Sequence, residues 1–201
     1  MITSKILLED VNEIISDAQI HWCDLKDSTI LVTGATGMIG SAIIRTLFAV
    51  NEQFNINIKI LALGRDNIKA EYLIKNYNVY FIKNDICKII EIDENINYIF
   101  HCAANTKSSD RVKYPVDVMT SIVDGTSNIL ELSREKQIKS IVFLSSKDIY
   151  GQYNGEVYEN NLGYIDLSDT TSSYPESKRY CEMLCHAYFI QYNIPIKIAR
   201  L

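Results

Sequence analysis

The chain has 201 residues, 47% hydrophobic and 22% charged, with 20 Lys plus Arg against 25 Asp plus Glu for a formal net charge of −5. This balance belongs to a globular fold and excludes wholesale disorder, and the acidic charge argues against a nucleic-acid surface as the main role. No apolar run approaches the roughly 20 residues needed to span a bilayer, so no membrane partner is expected either.

Ile2, Ile6, Leu7, Val11, Ile14 and Ile15 recur at helical spacing and predict an amphipathic helix, a helical N-terminal extension over residues 1–26. Lys5, Glu9, Asp10, Glu13 and Asp17 interrupt these apolar residues, where a secretory signal would have an unbroken stretch. The β-branched run Thr29–Thr33, ended by Gly34, reads as a buried strand, and Met38–Val50 as a helix. Ile58–Leu63 is the second strand, Asp66–Asn76 a helix, Val79–Ile82 the third strand and Tyr98–Cys102 the fourth. Val116–Lys136 has the length and pattern of a long helix, followed by the apolar strand Ser140–Ser145. Gly151–Ser173, rich in Asn, Asp, Ser and Gly, predicts a long surface loop, of the kind that is usually functional or mobile. Tyr174–Tyr192 is a second long helix, with Pro175 acceptable in its first turn and Ser172 or Ser173 available to cap it. Ile194–Leu201 begins a sixth strand. Alternation of helices with unalternated apolar strands predicts a parallel sheet covered on both faces.

The five cysteines, Cys23, Cys87, Cys102, Cys181 and Cys185, are odd in number and form no Cys-x-x-Cys, which fits reduced thiols and a cytoplasmic location. Cys181, Cys185 and His186 lie close together but lack further spaced ligands, so core-facing thiols are expected and no metal.

Strand one runs directly into Thr33-Gly34-Ala35-Thr36-Gly37-Met38-Ile39-Gly40 and then a helix. A dinucleotide site needs a tight turn at Gly34, no side chain at Gly37 where a pyrophosphate approaches, and close helix–strand packing at Gly40. The helix N-terminus beyond it presents free N–H groups and a positive dipole end to phosphates. At the end of strand two, where an acid would hold a ribose 2′-OH, stands Gly64, followed by Arg65 and Asp66. Arg65 suits a 2′-phosphate and points to NADP rather than NAD, with Asp66 beside it leaving the choice open. Tyr174 and Lys178 are four apart on a predicted helix and share a face, where an ammonium favours the phenolate a tyrosine base requires.

The spacing Gly-x-x-Gly-x-x-Gly resembles the short-chain dehydrogenase/reductase superfamily, in particular its extended branch, the NAD-dependent epimerase/dehydratase family that modifies nucleotide sugars. The resemblance runs from about Asp27 to Leu201. It is carried also by Asn84-Asp85-Ile86, His101-Cys102-Ala103-Ala104, Gly125-Thr126, Leu144-Ser145-Ser146-Lys147-Asp148-Ile149-Tyr150-Gly151 and Ser173-Tyr174-Pro175-Glu176-Ser177-Lys178-Arg179. It implies an α/β fold, a Rossmann-type doubly wound parallel sheet in three α/β/α layers, over residues 27–201, stopping before the C-terminal substrate domain. It implies a cofactor, NAD or NADP, held by Gly34, Thr36, Gly37, Met38, Ile39, Gly40, Arg65, Asp85, Ile86, Cys102, Ala103, Ala104, Tyr174 and Lys178.

By the same resemblance, Tyr174 removes the proton from a sugar hydroxyl, Lys178 holds the nicotinamide ribose, and Ser146 bonds the substrate oxygen. The dehydratases of the family place an acidic pair after the Ser/Thr. Here Lys147 and Asp148 stand there, so Asp148 is the one acid available, and simple 4-epimerases need neither. The family's usual Asn three residues before Gly-Thr is replaced by Ile122, which puts the usual proton relay and helix kink in doubt. The implied activity is a nucleotide-sugar epimerase or 4,6-dehydratase with a nucleotide-diphosphate sugar as substrate, associated in bacteria with surface polysaccharides. An NADP-dependent ketone or aldehyde reductase, or a non-catalytic dinucleotide-sensing module, are the rivals. A homodimer through the two long helices is expected, and a 201-residue chain that binds cofactor without turning over substrate.

Overall fold

The computed structural model describes residues 5–201. The chain forms two compact units: the first runs to Asp85 and resumes over Ile92–Cys102, and the second holds Ile86–Glu91 and Ala103–Leu201.

In the first unit, β1 (Thr29–Thr33), β2 (Lys59–Gly64), β3 (Tyr80–Lys83) and β4 (Tyr98–His101) are parallel, in the order β3-β2-β1-β4. The order reverses at β1, the switch point at which doubly wound sheets bind ligands outside the strand ends. Thr33 pairs with both Leu63 and His101, so the carboxyl ends of these strands lie level. Ile30, Leu31 and Val32 are wholly buried, as an unalternated apolar strand requires. Helices α1 (Lys5–Ser16), α2 (Met38–Phe54) and α3 (Asn67–Tyr77) complete the unit. Val11 and Ile15 bring α1 into the same core as β1 and α2, and Trp22 donates its indole N–H to Ile15 O at 3.1 Å. Ile2 lies outside the described residues.

In the second unit, β5 (Ser140–Leu144) and β6 (Ile196–Ala199) are parallel, from Ile141↔Ile196 to Leu144↔Ala199. A short helix α4 (Ser108–Lys113) precedes the long α5 (Pro115–Lys136), and α6 (Ser173–Tyr192) lies along α5. Their shared core contains Val118, Ile122, Leu130, Phe143, Tyr174, Cys181 and Cys185. Burial pushes both thiols up, Cys185 to about 12, so they act as inert packing groups, while His186 is exposed. Gly125 lets α5 close on Ile86, since a Cβ there would fall 2.8 Å from that side chain.

Four helices end at left-handed residues, Asn55, Asn78, Gln137 and Asn193, which perform the task glycine usually takes. The expected serine cap of α6 is not made. Ser172 precedes the helix with helical backbone angles, and its hydroxyl donates to Asp166 O at 2.6 Å. The loop over residues 151–172 is irregular as expected, but it is tethered. Gly163 N donates to Tyr150 O at 2.8 Å, Arg179 Nη2 to Gly163 O at 2.7 Å, and Arg200 Nη1 to Glu159 O at 2.7 Å. Among the described residues no helix is long and apolar enough to cross a membrane.

Candidate functional site

The first unit gathers one group of residues at the carboxyl ends of its strands. Gly34 has φ +63, and Gly37 N donates to Gly34 O at 2.9 Å to close the turn. Gly40, in the first turn of α2, lies so close that a Cβ would fall 2.4 Å from Gly34 O. Gly37 is the N-cap of α2 and no side chain caps the helix. The N–H groups of its first turn, at Met38, Ile39 and Gly40, therefore face outward with the positive end of a 17-residue helix behind them. Met38 and Ile39 are exposed and Thr36 is half-buried. This glycine cradle fits a dinucleotide pyrophosphate, because a Cβ at position 37 would crowd Gly34 O at 3.1 Å.

At the end of β2 stands Gly64, whose Cβ would meet the Phe81 ring at 3.3 Å, so an acidic side chain there would be crowded. Arg65 is 74% exposed, with its guanidinium 3.9 Å from Asp85. Asp66 is committed elsewhere: its Oδ1 accepts from Ile68 N at 3.0 Å and Lys69 N at 3.2 Å and caps α3. Asp66 is therefore engaged in capping, while Arg65 lies beside Asp85. Cys102 follows β4, and the buried His101 bonds the Thr33 hydroxyl at 2.8 Å, a structural role. Ile86 is buried, with its side chain packed beside Gly125. Ala103 and Ala104 belong to the second unit, where Ala104 packs against the Tyr174 cluster.

The second unit brings together Ser146, Asp148, Tyr174 and Lys178. Ser146, two residues beyond β5, caps the short turn over residues 147–150 and accepts from Asp148 N at 3.2 Å, which leaves its hydroxyl proton to be donated. Tyr174 and Lys178 are 5% and 3% exposed. Lys178 Nζ donates to Leu144 O at 2.6 Å and lies 6.0 Å from the Tyr174 ring centroid. Its charge is thus held at a fixed point beside the phenol ring.

Arg111 is a site residue that sequence reasoning missed. It reaches from α4 so that its guanidinium carbon stands 3.8 Å above the Tyr174 ring, and its Nη1 donates to Asp148 Oδ2 at 2.9 Å. Spacing carries no signal for it, because it lies 37 residues from Asp148. Among the described residues, three buried side-chain polar atoms have no hydrogen-bond partner: Arg111 Nε, Ser145 Oγ and Ser173 Oγ. Of these, Arg111 Nε belongs to a guanidinium that lies on the Tyr174 ring.

A parallel sheet with a glycine turn at its switch point defines a Rossmann-type dinucleotide-binding class. The family model of the NAD dependent epimerase/dehydratase family matches residues 30–201, and the chain belongs to that family. It is 32% identical over 181 residues to the Bacillus subtilis strain 168 protein named uncharacterized UDP-glucose epimerase YtcB, covering 85% of this chain and 55% of that one. It is 27% identical over 185 residues to a probable dTDP-glucose 4,6-dehydratase of Sinorhizobium fredii, covering 85% and 51%. Among solved structures, UDP-glucuronic acid 4-epimerase from Bacillus cereus in complex with UDP-glucuronic acid and NAD matches with a TM-score of 0.69 and 26% identity, over 86% of this chain and 55% of that chain. The fold is the expected Rossmann-type α/β class, and the chain spans about half the length of the relatives it matches.

Gly40→Ala tests the cradle directly. The 2.4 Å approach must open, so the variant is expected to lose about 1–3 kcal/mol of stability by urea unfolding, with weaker NADH binding by fluorescence. A midpoint and affinity equal to wild type would show that the turn relaxes freely.

Proposed function

We propose that this chain carries the cofactor-binding and proton-transfer residues of a nucleotide-sugar epimerase or 4,6-dehydratase, acting in the cytoplasm on a nucleotide-diphosphate sugar. The observation that supports this most is the buried set of Tyr174, Lys178 and Ser146, which a sensing module would not need. The nicotinamide cofactor supplies transient oxidation of the sugar carbon and its reversal. Tyr174 Oη takes the proton of the sugar hydroxyl as the carbonyl forms and gives it back on reduction. Lys178, anchored on Leu144 O, would stabilise the phenolate and hold the cofactor ribose. Ser146 Oγ donates its remaining proton to the same sugar oxygen. Gly34, Thr36, Gly37, Met38, Ile39 and Gly40 would hold the pyrophosphate, Arg65 and Asp85 the adenosine end, and Cys102, Ala103 and Ala104 the nicotinamide side.

Tyr174→Phe keeps the ring and removes the proton acceptor. Turnover of UDP- and dTDP-sugars by the enzyme is expected to fall about 100-fold or more with cofactor affinity retained, and near-normal turnover would remove Tyr174 from the role.

Arg65 supports NADP as the preferred form, whereas the Bacillus cereus neighbour is solved with NAD. Arg65→Ala is expected to weaken NADP(H) about 10-fold or more while leaving NAD(H) nearly unchanged, as loss of a charged hydrogen bond predicts. Equal weakening of both cofactors would show that Arg65 does not discriminate. Arg65 also favours the rival reading, an NADP-dependent reductase of the same superfamily. The two are separated by whether cofactor stays bound through purification, as the epimerase reading requires, or exchanges freely.

The homodimer rests on exposed apolar residues of the long helices, with Val116 71% and Met119 44% exposed on α5, and Tyr180 46% and Met183 66% on α6. Sedimentation is expected to show a dimer at tens of micromolar, and a monomer alone at that concentration would overturn the assembly.

A further inference from the structure

We propose that Arg111 is the positioning residue of Tyr174 and Asp148 its anchor, so that Asp148 is not the proton donor of a water elimination and the sugar leaves with its hydroxyl groups retained. The proposal rests on the reading of Tyr174 as the base. Three separate segments meet here: α4 brings Arg111, the turn after β5 brings Asp148, and the first turn of α6 brings Tyr174.

A guanidinium carbon 3.8 Å from the ring centroid is a close cation–π contact, which holds the phenol ring in place. The charged groups recorded around that ring are Arg111 on one side and Lys178 Nζ at 6.0 Å, with Asp148 paired to Arg111 and Lys147 Nζ 4.0 Å from Asp148 Oδ1. The pair is largely shielded, Arg111 being 20% and Asp148 31% exposed at the side chain, so it is not a loose surface contact. Arg111 holds this pose although its Nε–H is buried without a partner, a cost that the stack and the ion pair must offset. Its helix is steadied in turn: Asn105 Nδ2 donates to Asp110 Oδ2 at 3.0 Å, Tyr114 N donates to Asp110 O at 2.7 Å, and α4 packs on the turn over residues 170–172 that leads into α6.

The same geometry removes Asp148 from acid chemistry. Eliminating water from a keto sugar takes a proton from carbon and delivers another to the departing hydroxyl oxygen. The donor must carry that proton on a carboxyl oxygen directed at the sugar. Asp148 Oδ2 already accepts from the Arg111 guanidinium and Oδ1 faces the Lys147 ammonium. Oxidation and re-reduction at one carbon needs no such donor, so the arrangement assigns the reaction to the branch that eliminates nothing.

The experiment has a spectroscopic arm and a kinetic arm, both on the intact protein. In ¹⁵N–¹H spectra, the Arg111 Nε–H, identified by its loss in Arg111→Lys, is expected far upfield because it lies over the Tyr174 ring. Tyr174→Leu and Asp148→Ala should abolish that displacement and Asp148→Asn should preserve it. An undisplaced resonance, or one indifferent to Tyr174→Leu, overturns the stack whether or not the protein turns over sugar. In the kinetic arm, with NAD and NADP offered alongside UDP-glucose, UDP-glucuronate and dTDP-glucose, Arg111→Met should lower kcat about 10- to 100-fold with KM little changed. Arg111→Lys should restore part of that loss, and adding Asp148→Ala to Arg111→Met should cost nothing further. Products should retain the mass of water. A wild-type product lighter by water, whose formation stops in Asp148→Asn, would make Asp148 the acid and overturn the proposal. No turnover of any sugar by a full-length form that carries the substrate region would refute the functional reading, and the spectra would still decide the contact.

Discussion

The approach of α2 to the turn after β1 is the constraint on which the first unit's site depends. Gly34 must take a left-handed φ of +63, and Gly40 must come within a distance that leaves no room for a methyl group against Gly34 O. Only with both conditions met does a 17-residue helix begin directly beneath the sheet's switch point, with its uncapped N–H groups aimed out of the turn. The level ends of β1, β2 and β4 then set the remaining residues around it without further devices. Asp66 takes over the capping of α3, and Arg65 pairs with Asp85 at the surface. A side chain exposed to 74% at that place has no packing duty and is available to a ligand.

The second unit is organised by the satisfaction of buried polar groups. Ser133 and Ser177 return their hydroxyl protons to carbonyls one helical turn back, at 2.6 Å in both cases, and Lys178 meets Leu144 O. Arg179 and Arg200 divide their donors among carbonyls and carboxylates, and Arg200 pairs in two-fold fashion with Glu182. Against that background the unpaired buried atoms of Arg111, Ser145 and Ser173 stand apart, and of these Arg111 lies on the Tyr174 ring.

The scaffold was legible in the sequence because it is governed by local rules. Apolar β-branched runs ended by glycine can only be strands buried on both faces, and the Gly34–Gly40 spacing states its own backbone geometry. What escaped depends on contacts between distant residues. α4 is a six-residue helix with the sequence Ser-Ser-Asp-Arg-Val-Lys, too short for any period to show, and it delivers Arg111. Asp66 reads as a rival to Arg65 until its capping bonds are seen, and Ser172 reads as a cap until its hydroxyl is found on Asp166 O. The loop over 151–172 has the composition of a mobile segment. Its tethers come from Arg179 and Arg200, whose side chains say nothing of their targets from sequence position alone.

The departures from the family's pattern have a common physical sense. Ile122, standing where an asparagine is usual, is buried in the core shared by α5 and α6, and α5 runs unbroken through it. Its carbonyl accepts the Cys181 thiol at 3.6 Å, a weak bond that leaves the side chain purely apolar. No proton can pass through such a residue, so the face of Tyr174 toward α5 is closed to proton traffic. On the β5 side, Ser146 retains its hydroxyl proton and Lys178 holds its charge on Leu144 O. Lys147 and Asp148 fit the same scheme. With an ammonium and a guanidinium on its two oxygens, the carboxylate steadies the arginine that lies on the catalytic ring. Each departure from the family's pattern leaves Tyr174, on the proposed reading, as the one group that moves a proton.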